Sequence, residues 1–477
     1  MDRTIKQNLL LYMAISAATF SFLVVNERAG VSVIIFMAIQ FVCLYLWAPA
    51  KKPLLMFIPL FILALNSFIS ANTMWRLPNL FVGLMLYSVM SLWLTGQVSL
   101  QKESLTGFVF KPLLNLFEPI FYFKMPVVWG LNRQKNNMRI LRRIAIALFI
   151  TVPLATFLLI MLARADAIFL FAINEFVIWL IALPDIGFIL RVISGIAIGF
   201  YLFGMLYYVL KPDRGNIDYD PPATVRGDVL IINIVLSSVL FIYTVFVFIQ
   251  FRYLFASPDE LPFGLTFEAY ARRGFFELMF LAAINIFAIL INMWLVKTQN
   301  GTGAKTTKIM CFYLCAITSV LLVSSFYRMW LHGADDGLTR MRFLVFGFLI
   351  FKSVGIAATF AYIANPKFNI IAAYCVIALV YYLCLNIVPI DAVVARSQIN
   401  RYLATGHGGV AYVLTLSPDI APQLMRLAES GNTQTQNDVL RYFAYTEINR
   451  PGWRQWNLSA NRFVRLRDEL RIRQKIS

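Results

Sequence analysis

Apolar runs of roughly 20 residues, long enough to cross the hydrocarbon core of a bilayer, recur along this chain until about residue 388. A chain built this way is a polytopic membrane protein. The expected fold is all-α: a transmembrane helix bundle of about eleven spans with a small helical C-terminal domain outside the membrane. The candidate spans are 8–25, 30–49, 53–70, 78–96, 143–163, 187–210, 228–250, 274–296, 308–326, 343–363 and 368–388. The apolar stretch 167–183 carries Asn174 and Glu175 and ends at Pro184. It is expected as an interfacial or re-entrant helix, with a twelfth span as the alternative.

Four regions follow: a four-helix membrane segment at 1–96, a cytoplasmic interfacial amphipathic segment at 97–142, a larger membrane domain at 143–388 and an extracytoplasmic helical tail at 389–477. The first apolar run is followed by Asn26, Glu27 and Arg28, where a signal peptide would present small residues for cleavage. It is therefore expected to be retained. Cys43, Cys311, Cys315, Cys375 and Cys384 all fall inside spans, where thiols act as small apolar side chains. With only His332 and His407 beside them, they form no disulfide framework and no zinc pattern. No cofactor is expected.

The net charge of +18 coexists with 60% hydrophobic residues, so charge is confined to loops and orients the chain. Lys and Arg accumulate in short cytoplasmic loops. Placing the N-terminus inside gives the inner loops 19 basic and 7 acidic residues, the outer loops 10 of each. The N-terminus is thus expected in the cytoplasm and the tail outside. Twelve of the 14 lysines then lie inside, while every basic residue of the outer loops is arginine. Orientation alone explains the basic surplus, so nucleic acid is not expected as a partner; membrane lipids are.

The 97–142 segment mixes Phe108, Phe110, Leu113, Leu116, Phe117, Phe121 and Phe123 with Lys111 and Lys124. This pattern suits an amphipathic helix at the inner interface, or a docking surface for a cytoplasmic partner. The tail is arginine-rich, is broken at Gly406–Gly409, and shows helical spacing at Leu424, Leu427, Val464, Leu466 and Leu470. Three to five short helices are expected there.

Several stretches carry a family resemblance. Tyr253-Leu254-Phe255 followed by Phe267 to Leu278, Ser325 to Met329 with Asp336 to Arg342, Asp391 to Arg396, Leu416 to Pro422 and Trp453 to Ser459 resemble an uncharacterised bacterial membrane family, domain of unknown function 4173, related to number 4153. The resemblance runs from roughly residue 145 to the C-terminus; the first four spans match in hydropathy alone. At Gln398 the family pattern usually carries Asn, which leaves open whether this amide makes a fixed contact. The resemblance implies an inner-membrane protein and brings no activity, although some relatives are labelled sensors.

Polar groups within lipid are costly and mark candidate sites. Lys352 sits near the middle of its span, roughly 15 Å from Arg342 at the helical rise. Asn285 is expected at comparable depth, with Asn66, Asn233, Asn292 and Asn386 in other spans. Lys352 is either an anion contact or a helix-packing lysine bonded to amides and carbonyls. At the outer level stand Glu268, Tyr270, Arg272, Arg273, Glu277, Arg328 and Arg340, with Asp335, Asp336 and Arg342. Their balanced charge suits a self-satisfied network; the alternative leaves one or two guanidiniums free to grip a phosphate or carboxylate bidentately.

Catalytic templates fit poorly. Gly301-Thr302-Gly303-Ala304-Lys305-Thr306 lacks the spacing and the strand-to-helix context of a phosphate loop. The first expectation is a protein that binds or transports an anionic small molecule or lipid headgroup through an outer Arg-lined cavity. The second is a membrane sensor or assembly scaffold. The third, a transferase acting on an outer-leaflet lipid carrier, is disfavoured because the short first outer loop offers only Glu27.

Overall fold

The computed structural model describes residues 3–25, 30–47, 57–94, 112–113, 115–123, 125–126, 129, 151, 154–155, 158–159, 161–162, 167–181, 186–210, 228–254, 275–296, 301–365, 367–430, 433–448, 450 and 452–476. All regular structure among the described residues is helical. In chain order the principal helices are α1 (Arg3–Thr19, continued by a π-helical turn Phe20–Val24), α2 (Val31–Trp47), α3 (Ile58–Ile69) and α4 (Arg76–Leu94). Then come α5 (Ala167–Ile181), α6 (Ile186–Leu210), α7 (Val229–Leu254), α8 (Phe275–Val296), α9 (Thr302–Asp336), α10 (Arg340–Ala364) and α11 (Ile370–Ile387). The tail supplies α12 (Ile390–Thr405), α13 (Ala421–Ala428), α14 (Thr433–Tyr445) and α15 (Leu458–Ile476).

Seven helices among the described residues, α1 with its π turn and α6 to α11, are long and apolar enough to cross a membrane. Eleven spans were expected. α2 and α3 are apolar but shorter, and most of the expected span 143–163 lies outside the described residues. α5 has 15 residues, about 22 Å of helix, and falls short of the ~30 Å hydrocarbon core. The expected span 308–326 is the middle of a 35-residue helix. At about 52 Å α9 overshoots the bilayer, so residues assigned to loops on either side extend it.

The chain divides into two compact units. The first comprises Met1–Asp218 with Asn449–Asn461, and the second Tyr219–Ile448 with Arg462–Ser477. In the first, α6 lies along α1. Helices in lipid gain no hydrophobic energy from pairing and associate through close packing of small residues. Gly195 and Gly199 provide it: a Cβ at Gly195 would sit 2.6 Å from the Ala17 carbonyl oxygen, and one at Gly199 2.7 Å from that of Met13. Polar bonds fix the neighbours, with the Tyr12 and Tyr87 hydroxyls joining α1 to α4 and Ser16 donating to Gln40 on α2 at 3.2 Å.

In the second unit α9 is the central helix, packed against α7, α8 and α10. Its buried face carries Cys311, Leu314, Cys315, Thr318 and Leu321, so two of the thiols serve as small core groups, as expected. The tail helices enclose a core of their own that includes Val394, Ile420, Leu424, Leu427, Val439, Phe443 and Phe463. Gly406, at φ +71°, ends α12 in the left-handed conformation that glycine adopts without steric cost.

Candidate functional site

Between α8, α9 and α10 of the second unit lie the buried polar groups Asn285, Thr318 and Lys352. Lys352 is buried, 7% exposed, yet its Nζ does not meet Asn285. Side chains on a helix lean toward its N-terminus. Lys352 accordingly passes over the Phe348 ring, 5.1 Å from its centroid, and donates to the Met279 carbonyl oxygen on α8. Met279 is the fifth residue of α8, so the ammonium is carried toward the end of α8 that bears Glu277. Asn285, about 9 Å further along at the helical rise, donates instead to Thr318 Oγ1 at 3.1 Å. The sequence put the two groups at one depth; lysine's length and tilt separate them. Ser324 and Ser325 on α9 are also buried, Ser325 donating to the Leu321 carbonyl at 2.8 Å.

At the N-terminal end of α10 the geometry is different. The fork of Arg340 closes on Asp391, with Nε 2.7 Å from Oδ1 and Nη2 2.8 Å from Oδ2. Asp391 also accepts from the Ser417 backbone N–H at 3.2 Å, and the Tyr412 hydroxyl accepts from the Arg340 backbone N–H at 2.8 Å. Two of the guanidinium donors that a ligand carboxylate would need are thus taken by the protein itself. The partner is a tail carboxylate, outside the group of outer-loop charges expected to satisfy one another. Gln398 completes the lock, donating to the Leu338 carbonyl at 2.9 Å and accepting from the Gly409 N–H at 3.2 Å. It therefore is a fixed amide contact. Its partner turn requires Gly337, whose φ is +76° and whose Cβ would lie 2.9 Å from Gln398 Nε2.

The family model described as Domain of unknown function (DUF4153) matches residues 57–427. The chain belongs to that family. No curated protein and no solved structure matches it. The DUF4153 match starts well before residue 145, so it takes in α3 and α4 as well as the lysine seam and the Arg340–Asp391 lock. It is to number 4153, the relation named above, and it carries no activity.

Glu268, Tyr270, Arg272 and Arg273 lie outside the described residues of this DUF4153 protein. Glu277 and Arg328 are placed on the backbones of α8 and α9, which bring their positions to the same end of the bundle as Arg340. Among the described residues no group of three or more His, Cys, Asp or Glu is placed to hold a metal ion.

Sequence reasoning missed a second contact, made within the first unit by tail residues beyond the family match. Asn457 Nδ2 donates to the carbonyls of Ser67 and Ser70 at 2.7 and 2.6 Å. Arg454 Nη1 donates to the Phe22 carbonyl at 3.0 Å, and the Val31 N–H donates to the Trp456 carbonyl at 3.0 Å. These groups are backbone atoms at the ends of α3, α1 and α2, where a helix finds partners outside itself. Residues 453–457 therefore form a clasp over three helix ends. Gly30 makes room for it, since a Cβ there would lie 2.5 Å from the Gln455 carbonyl carbon. The repeated Trp453 and Trp456 were the available signal, and their rings meet Phe22 and Phe68 at 6.2 and 5.1 Å.

The opposite end of this unit holds the described part of the 97–142 segment. Its described residues do not form one continuous α-helix: Glu118–Tyr122 is a 3-10 turn with Pro119 in its first positions, where proline's missing donor is tolerated. Asn115, Leu116 and Pro119 are buried. Asn115 bonds the hydroxyls of Ser88 and Ser91 on α4, each at 3.0 Å, while the Leu116 carbonyl accepts from Tyr201 on α6 at 2.8 Å. These residues turn into the bundle. Phe117 and Phe121 remain exposed.

Proposed function

We propose that this membrane protein binds or transports an anionic small molecule or lipid headgroup, with Lys352 as the innermost cation of the site. The supporting observation is the state of that lysine. It lies on a helix long and apolar enough to cross a membrane, and among the described residues its ammonium meets a backbone carbonyl and an aromatic face, with no carboxylate. An ionisable group at membrane depth is costly and is usually retained for function. The Lys352 ammonium is turned toward the end of the bundle where Glu277, Arg328 and Arg340 stand. Glu268, Tyr270, Arg272 and Arg273 are the proposed wall of the site, and Asn285 with Thr318 its floor. Arg340 contributes as a positioned positive charge, its fork being closed on Asp391.

Native mass spectrometry of the detergent-extracted protein tests this reading. The wild type is expected to retain an anionic species that Lys352→Met loses by at least tenfold. Equal retention by the variant would sink it.

A second reading, the sensor or assembly scaffold, draws support from the tail. The chain leaves the second unit at Ile448, contributes Asn449–Asn461 to the first and returns at Arg462, so an event at the tail is covalently linked to both. Both readings assume a bacterial inner membrane with the N-terminus cytoplasmic and the tail outside. Reporter fusions after Gly303 and at Ser477 test that orientation, and a cytoplasmic signal at Ser477 would overturn it.

A further inference from the structure

A second site lies on another face of α10, away from Lys352. α10 and α11 enclose an open cleft of about 390 Å³ whose lining is almost entirely apolar. Gly347 forms part of its floor, a Cβ there standing 3.4 Å from the Tyr381 ring. Ile350 and Val380 on its walls are 59% and 53% exposed. Both helices have the length and hydropathy of membrane spans, so the cleft opens toward lipid chains.

The end of the cleft decides which lipid. Phe343 on α10 and Val388 at the end of α11 line it. Arg340 and Asp391 each lie three residues beyond them, which on α10 is one helical turn along the same face. The ion pair presents only one of its charges: the Arg340 side chain is 29% exposed and that of Asp391 1%. With the carboxylate buried, the partly exposed guanidinium is the charge that the pair presents, one helical turn from the Phe343 end of an apolar groove. That combination fits an amphiphile with an anionic head and an acyl tail. We infer that the α10–α11 cleft is a binding site for an anionic membrane phospholipid, with an acyl chain along Gly347 and Tyr381 and the headgroup phosphate at the exposed edge of Arg340. The inference goes beyond the lysine reading and shares only Arg340 with it.

Delipidated full-length protein, titrated in detergent with phosphatidylglycerol and with phosphatidylcholine of identical chains, tests the site by native mass spectrometry. The wild type should retain phosphatidylglycerol at least fivefold better than phosphatidylcholine. Val380→Trp, or Ile350→Trp as an independent variant, fills the cleft from a position already exposed. Each should lose the phosphatidylglycerol adduct by at least fivefold with an unchanged helical circular dichroism signal. The double variant Arg340→Gln with Asp391→Asn should bind both lipids alike. Lys352→Met should leave the adduct intact; if it abolishes the adduct, the lipid sits at the lysine and the cleft assignment is overturned. Equal retention of the two lipids by wild type, or full retention by both tryptophan variants, also overturns it.

Discussion

Among the described residues, tail residues meet membrane helices at the clasp and at the lock, and the two contacts use different chemistry. At the clasp, every hydrogen bond to the helices has a backbone atom on at least one side: Asn457 and Arg454 donate to carbonyls at the ends of α3 and α1, and α2 donates to Trp456. At the lock, a buried carboxylate holds a guanidinium fork and a backbone N–H. The neutral bonds among the first kind each contribute about 0.5–1.5 kcal/mol net, the Arg454 bond is an exposed one, and their loss can be shared with water at a helix end. Removing Asp391, the buried member of the pair, costs three charge-assisted bonds at about 1.5–3 kcal/mol each, less what water restores to an Arg340 side chain that is 29% exposed. The lock should therefore behave as an all-or-none element, and the clasp as a graded one.

The sharpest way to break that contrast is Asp391→Ala. It should destabilise the protein by about 3–5 kcal/mol, read as a drop in the thermal unfolding midpoint in detergent; a shift no larger than that of a surface substitution would remove the lock from the account. Asn457→Ala comes next, at about 2–3 kcal/mol, because two carbonyls lose their donor and α15 loses the side-chain cap made to Ala460. Limited proteolysis near residue 450 should accelerate in that variant while Asp391 stays protected. Gln398→Ala should cost about 1–2 kcal/mol, with hydrogen exchange rising first at Gly409.

A smaller effect is expected from pH. Burial, with Asp391 and Asp419 nearby, raises the Tyr442 phenol above its ordinary value of 10, and its hydroxyl donates to the Leu416 carbonyl at 2.9 Å. A raised value means that the fold favours the neutral form. Its contribution is complete below the unfolded value and is lost as pH rises above it. Tyr442→Phe should then show a shallower fall in unfolding midpoint between about pH 9 and pH 11 than wild type; parallel curves would refute the assignment. The smallest change belongs to Arg465→Ala. Its pair with Glu469, at 3.2 Å, is exposed, and about 0.3–0.5 kcal/mol is expected.

Much of the fold was legible because hydrophobic length is a local property. The spans at 187–210, 228–250, 274–296, 343–363 and 368–388 all correspond to helices of nearly those limits. The glycine break at 406 and the apolar spacing of the tail were equally readable. Less legible was anything that depends on which helix stands beside which. Asp391 was recognised within a family-like motif, but nothing in its local sequence pointed to Arg340, 51 residues earlier. The Gly195–Gly199 pair was in plain view, and its use became clear only with α1 against it. For the 97–142 segment the apolar pattern was read as a surface, and its three prolines should have weakened the idea of a single helix.

By itself, then, the sequence determined that this is a helical membrane protein, the approximate limits of most spans and the family-like blocks. Those follow from the cost of placing polar groups in hydrocarbon, which each residue incurs wherever its neighbours are. Only the tertiary structure decided that Arg340 is closed on Asp391, that Lys352 reaches Met279 and not Asn285, and that a tryptophan-rich stretch of the tail caps three helices. Those depend on side-chain direction and on helix ends separated by up to several hundred residues, where a hydrogen bond forms only if packing brings donor and acceptor within about 3 Å.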